Sequence, residues 1–411
     1  MALLSPGGRL PTLAGRNSPR RLRHSLAVSS PPNQLRISCS NSHLPNKFKR
    51  DYTSVMIVPT GVGASIGGFA GDALPVARTL ASVVLNAAML YWPIPNVLYV
   101  EGYALDRFAE GKWTLHPVHQ NRVGLVLDAG IEEELRIRQL QVADATRASL
   151  GLPVVEYVVT DQPLQVEKWV DPKSGQSTGR IKHPDSLLRA VQKLRDRSMV
   201  NAIAVVARFP DDDIEEMDDY RQGMGIDLLA GVEAIISHLV VKNFGIPCAH
   251  APALLPPPLS KSLCPKSAAE EIGYTFLPCV LAGLSNAPQY MFNKSESLER
   301  GGIFASHVDS VILPVDACGG DGALAFAKIK RNKPLIVTVA ENETVLNDTH
   351  DKLGIETVKV SNYWEAIGVI AAHKAGVDPN SLRRNRIKNI RQTSVIPSNG
   401  YTVAVPDSSR I

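Results

Sequence analysis

Two stretches carry residue types and spacings suited to ligand chemistry. Thr60 to Ala73 reads TGVGASIGGFAGDA, with glycines at 61, 63, 67, 68 and 71 and Asp72 as its one charged residue. Asp316 to Gly322 reads DACGGDG, which sets two carboxylates and a thiol among three glycines. Glycine-rich turns bring backbone N–H groups close to an anion without side-chain interference. Thr60, Gly61, Gly63, Ser65, Gly67, Gly68 and Asp72 are therefore candidate ligand-binding residues. In the second stretch Gly319, Gly320 and Gly322 are candidates of the same kind, with Asp316 and Asp321 suited to orient a hydroxyl or an amine. Cys318 before a helix would have a lowered pKa, as a nucleophile requires. Three further residues suit charge or proton transfer: Arg208 at a strand end as an anion contact, Asp227 before a helix, and His250 after a short apolar run.

Neither glycine stretch is a standard nucleotide fingerprint. GxGxxG starting at Gly61 would need glycine where Ile66 stands, and a P-loop would need Lys and Ser or Thr where Gly71 is followed by Asp72. The TGxxxGxG loop of short-chain dehydrogenases is approached, with Ser65 in place of a glycine, and a YxxxK pair exists at Tyr290 and Lys294. That leaves an NAD(P)-dependent oxidoreductase as a rival reading, although no acid stands about 20 residues after the loop to hold a ribose hydroxyl. His238, Cys248, His250 and Cys264 fit no standard zinc spacing, and His238 reads as a core histidine of an apolar helix. The run Asp211 to Asp219 reads as a solvated acidic surface. The motifs name no cofactor and no metal.

The elements around these residues set the fold class. Ser54 to Val58 reads as a buried strand before the first glycine stretch, and the apolar segment from 73 to 90 reads as a buried helix after it. Further strands are expected at 97–100, 124–127, 153–159, 202–207, 246–250, 310–315, 335–339 and 357–360, with 274–281 as a weaker strand. Helices are expected at 101–111, 132–150, 185–198, 228–243, 323–330, 341–353 and 362–375, and the polar segment 160–183 as a long surface loop or lid. This alternation implies an α/β fold with mostly parallel, doubly wound sheets built from Rossmann-like β-α units. Ligands in such folds sit beyond the carboxyl ends of the strands. The two glycine stretches face one crevice if their strands are neighbours.

The chain has 411 residues, 44% of them hydrophobic, and no apolar run long enough to span a membrane. Residues 1–50 hold nine Lys and Arg, eight Ser and no acid; of the 44 basic and 40 acidic residues of the whole chain, 35 basic and all 40 acidic lie beyond them, a net of −5. A basic face for nucleic acid is not implied. The acid-free start has the composition of an organellar transit peptide, and Arg36-Ile37-Ser38-Cys39-Ser40 resembles a chloroplast cleavage region, which points to the stroma. The expected organisation is a presequence over 1–50, an α/β domain over 51–376 with two lobes at about 51–210 and 211–376, and a basic tail over 377–411. A small-molecule ligand is the expected partner, and a homo-oligomer is compatible with the sequence.

The blocks PTGVGASIGGFAGDALPVA, NVLYVEGYALDRFAEG, GVEAIISHLVVKNFGIPCAHAPAL, AAEEIGYTFLPCVL and VDACGGDGALAF together resemble a domain-of-unknown-function family of cyanobacteria and plant plastids. The resemblance runs from about Val55 to Ala375. It implies plastid localisation and supplies neither an activity nor catalytic residues. It also implies additional residues between Val84 and Leu85, including a turn after the first helix. The function expected is binding of a small anionic metabolite, with group transfer to or from a phosphorylated substrate as the enzymatic reading and a non-catalytic sensor or assembly factor as the alternative.

Overall fold

The computed structural model describes residues 50–66, 73–80, 83–85, 94–211, 219–272, 276–292, 301–387 and 389–390. In chain order they begin with β1 (Thr53–Met56), α1 (Leu74–Thr79), β2 (Val83–Leu85), β3 (Val97–Tyr99), α2 (Gly102–Ala109) and β4 (Thr114–His116). The middle of the chain forms β5 (Val123–Leu127), α3 (Glu133–Leu150), β6 (Val154–Val159), β7 (Val166–Val170), β8 (Ser177–Ile181), α4 (Pro184–Ser198), β9 (Ala202–Arg208), α5 (Ala230–Phe244) and β10 (Cys248–Ala253). Then come α6 (Pro265–Ile272), α7 (Leu277–Ser285), β11 (Gln289–Met291), β12 (Val308–Pro314), α8 (Asp321–Ala327), β13 (Leu335–Val339), α9 (His350–Leu353), β14 (Val358–Val360) and α10 (Tyr363–Lys374).

Two parallel sheets result. The first has the order β14-β13-β12-β1-β2-β3, and the second β10-β9-β5-β6. The interior strands β1, β5, β9, β12 and β13 are short, apolar and almost wholly buried, as parallel strands between helical layers must be, whereas the edge strands β6 and β14 expose side chains. Alternation along each strand sorts side chains into two cores. Met56, Ile312, Val337, Leu125 and Val206 pack in one, with Ala77 of α1, Ala143 of α3, Leu281 of α7 and Ile370 of α10. Val55, Val311, Ile336, Val126 and Val205 pack in the other, with Phe108 of α2, Leu187 of α4, Ile236 of α5 and Phe326 of α8. The sheets are thus wound on both faces and share both cores. Tyr99 at the edge of the first sheet donates its hydroxyl proton to the Cys248 carbonyl at the edge of the second, 2.8 Å away.

Four local expectations are corrected. The apolar segment 73–90 is not one helix, because α1 ends at Thr79 and Val83–Leu85 pairs with both β1 and β3. Two adjacent valines are stiff at χ1 and fit an interior strand better than a helix. That strand runs straight across the Val84–Leu85 junction. The segment 160–183 is not an open loop: Val166–Val170 pairs antiparallel with Ser177–Ile181 in a hairpin whose turn has left-handed Gly175. Residues 277–285 form a buried helix rather than a strand, with Pro278 in the first turn, where its missing N–H is harmless. Of 341–353 only His350–Leu353 is helical. Asn342 and Thr344 commit their side chains to neighbouring loops instead, in competition with helix formation.

Candidate functional site

β1 lies between β12 and β2, so the first glycine stretch leaves the carboxyl end of an interior strand. Backbone pairing continues one residue further, Ile57 N–H donating to Ile312 O at 2.9 Å. The chain then turns with Gly61 and Gly63 in the left-handed region, at φ of 70° and 66°. Space as well as φ demands glycine there. A Cβ on Gly61 would overlap the Ser177 hydroxyl of β8, and one on Gly63 would stand 3.1 Å from the Gly225 carbonyl oxygen. The carbonyls of the loop are used: Gly61 O accepts from Ser177 N at 2.8 Å and Val62 O from Val345 N at 2.9 Å. Beyond it, Ile66 N–H donates to Asn342 Oδ1 at 2.9 Å, and Asn342 Nδ2 donates back to Ile66 O at 2.7 Å.

The N–H groups of Gly61, Val62, Gly63 and Ala64 have no acceptor among the described residues. Gly61, Val62 and Ala64 are buried. Buried peptide N–H groups are nearly always paired, so a run of unclaimed ones is unusual. Left-handed residues placed alternately along a turn direct neighbouring N–H groups to one side, the geometry of an anion nest. Thr60 and Ser65 are exposed at its two ends. Gly67, Gly68 and Asp72 lie outside the described residues.

The second glycine stretch follows β12, the neighbour of β1. A bridging segment joins the two loops. Asp316 accepts from the Thr344 N–H at 3.0 Å and the Thr344 hydroxyl at 2.9 Å. Asp348 N–H donates to Asp316 O, Cys318 N–H to Asp348 O, and Val345 N–H to Val62 O, each at 2.9 Å. Asp316 therefore fixes the 342–348 segment that backs the nest. Gly319 is crowded by the Asp348 carboxylate, whereas Gly320 faces open space. Asp321 is exposed in the first turn of α8. Cys318 departs from expectation: burial first, then Asp316 and Asp348, push its thiol up to about 11, so it is no ready nucleophile.

The other candidates lie outside the first sheet. Asp227 accepts from Leu229 N at 2.8 Å and Ala230 N at 3.2 Å, and so starts α5; burial raises its pKa and those two bonds oppose the rise. Arg208 ends β9, where Glu132 at 2.8 Å and Asp211 at 2.7 Å neutralise it. His250 sits inside β10 with Nδ1 2.5 Å from the Ser237 hydroxyl and Nε2 3.6 Å from Glu233 of α5. Burial, then the nearby His238, lowers its pKa to about 3, so it is neutral at physiological pH. Arg208 serves the second sheet; Asp227 holds the start of α5, next to the Gly225–Ile226 turn that meets Gly63, and Asp316 and Asp321 share the end of the first sheet with the nest.

A further pair was not anticipated. Glu101 follows β3 and starts α2, its Oε2 accepting from Tyr103 N at 2.9 Å and Ala104 N at 3.3 Å. Its other oxygen lies against Nδ1 of His238 on α5. The Glu101 side chain is 3% exposed and that of His238 is 44% exposed. His238 is thus no satisfied core histidine but an accessible imidazole backed by a buried carboxylate. Burial opposes its charge, yet the bond to Glu101 and the charges of Glu101 and Asp106 prevail, and its pKa is raised. Gly102 permits the approach, since a Cβ there would stand 3.0 Å from His238 Cε1. The available sequence signal was an acid followed by glycine at the end of a strand; the apolar setting of His238 hid its partner. Among the described residues, no group of three or more His, Cys, Asp or Glu side chains is arranged to hold a metal ion.

These features define a doubly wound parallel α/β protein with a glycine turn of unclaimed N–H groups at an interior strand and an acid–imidazole pair at the sheet edge. The chain belongs to the family described as protein of unknown function (DUF3326), whose model matches residues 53–383. It is 55% identical over 344 residues to an uncharacterized lipoprotein of Synechococcus sp., an alignment covering 81% of this chain and 94% of that protein. No solved structure matches it. The family thus has a cyanobacterial member, and no described helix of this chain is long and apolar enough to cross a membrane.

Proposed function

We propose that the chain binds a small anionic metabolite, phosphorylated in the simplest case, through the peptide N–H groups of Gly61 to Ala64, and transfers a group to or from it. The observation that carries this reading is the run of unclaimed N–H groups in a turn held rigid from both sides. Donors fixed in advance stabilise developing negative charge without reorganisation. Thr60 and Ser65 flank the anion, and Asp321, exposed beyond the neighbouring strand, is the carboxylate available to orient a hydroxyl. Asp316 acts by holding the bridging segment. The acid-free first fifty residues and the cyanobacterial relative support a plastid stromal location.

The test is thermal unfolding of the full chain with inorganic phosphate, pyrophosphate and a panel of phosphorylated metabolites. A ligand at one hundred times its Kd stabilises by about 2.7 kcal/mol and raises Tm. Thr60→Glu, an exposed change that sets a carboxylate at the nest, should abolish the rise while leaving the unliganded Tm unchanged. Absence of any rise across the panel would overturn the reading. Binding without turnover would support the sensor alternative over group transfer.

A further inference from the structure

The geometry points to His238, positioned by Glu101, as the proton acceptor for a hydroxyl on a ligand whose anionic group occupies the Gly61–Ala64 nest. This rests on the anion site proposed above and adds to it a chemistry and a ligand length. With the Glu101 carboxylate against Nδ1, the neutral ring is favoured with its proton on that nitrogen, which leaves the electron pair on Nε2. No bond to Nε2 is formed among the described residues. In the step, the ligand oxygen bonds to the group transferred in the reaction proposed above as its O–H bond breaks; the proton joins Nε2, and the bond between that group and its donor breaks with its electron pair leaving on the donor. The imidazolium formed is balanced by the buried Glu101 carboxylate, which two backbone N–H groups hold in place.

Helix α5 links this pair to the nest. Gly231 in its first turn meets the nest loop, where a Cβ on Gly61 would stand 3.1 Å from Gly231 N. His238 is seven residues further on. Seven residues are close to two turns, so both fall on one face about 10 Å apart along the axis; β8 covers that face at Gly231, where Ser177 fills the Cβ position. Ala234 and Ile235 fall between them on that face, and both are half-buried. A ligand reaching from the nest to His238 past these residues needs roughly 10 Å between its anionic group and its hydroxyl, the span from the terminal phosphate of a nucleoside di- or triphosphate to its ribose hydroxyls rather than that of phosphate or a monophosphate. The ionisable groups around His238 are Glu101, Asp106 and Tyr103 on α2, His250 on β10 and Glu233 on α5 itself.

NMR of the full chain labelled at histidine and at backbone nitrogen tests this. In the free protein, His238 should titrate above an ordinary histidine, and Glu101→Gln should lower its midpoint by at least one pH unit. A loss of packing alone would not produce that selective change. Inorganic phosphate should shift the amide signals of Gly61 to Ala64 and leave the His238 ring unmoved. ADP and ATP are the longer probes, and at least one should move both sets of signals. The Glu101→Gln variant should still bind phosphate at the nest. If phosphate moves the nest amides but neither longer probe reaches His238, or if Glu101→Gln leaves the midpoint in place, the inference fails while the anion site stands. If no probe moves the nest amides, the anion site itself fails.

Discussion

At the scale of single residues, Asp106 offers the sharpest pH signature. Burial lifts its pKa to about 6, against the N–H of Gly322, with the neighbouring Asp321 adding to the rise. A carboxyl whose folded pKa exceeds its unfolded value of 3.8 favours folding most below that value, and the benefit is lost as pH rises through about 6. Asp106→Asn fixes the side chain in a neutral form that still accepts from Gly322. Urea unfolding should find the variant more stable than the parent at pH 8 by roughly 1 kcal/mol, discounted from the full shift because the carboxylate is partly solvated. The two should converge near pH 4, and an equal difference at both pH values would contradict the assignment. His250 works the other way: its depressed pKa favours folding above about 6.5 and loses that benefit as pH falls towards 3.

Elements explain why the glycine turn is rigid. The hairpin of β7 and β8 presses on the start of α5, and its Ser177 reaches both Gly61 O and the Gly231 N–H, at 2.8 and 3.1 Å. A Cβ on Gly231 would overlap the Ser177 carbonyl, which is backbone and cannot swing aside. Gly231→Ala should therefore destabilise by about 2–3 kcal/mol and loosen the turn, read as a lower urea midpoint together with faster amide exchange at residues 61–64. An unchanged midpoint would mean that the helix and hairpin stand further apart. Much of this level was legible in the sequence. Asp227 before α5, Gly245 after it and the apolar strands 202–207 and 310–315 announce themselves by local chemistry. The hairpin did not, because VEKWV and STGRI mix charged and apolar residues without a clean alternation, and the hairpin packs on α5. β2 was hidden for the opposite reason: in an unbroken apolar segment, periodicity does not separate helix from strand. The adjacency of the two glycine loops depends on strand order, and no local pattern encodes it.

Among the described residues both cores draw on both sheets, so the two sheets are expected to unfold together. Buried Asn121 adds a polar tie, donating to Leu284 O at 2.8 Å and Ala287 O at 2.7 Å, while Gln289 donates to its Oδ1 at 2.8 Å. Hydrogen exchange measured across a urea series should lose protection in β9 and β12 at the same concentration. Separate midpoints would show that the sheets unfold independently.

The first sheet also sets a schedule. Ser54 of β1 and its partner Ser310 of β12 are 256 residues apart, and their buried hydroxyls meet at 2.9 Å. At a ribosomal pace of about 10 residues per second, the earliest strand waits about 25 s for its neighbour to be made. During that interval its apolar side chains and unpaired edge are open to wrong partners. A newborn chain of this kind depends on something to shield its beginning until its end arrives, and any carrier that receives it unfolded must shield that strand in the same way.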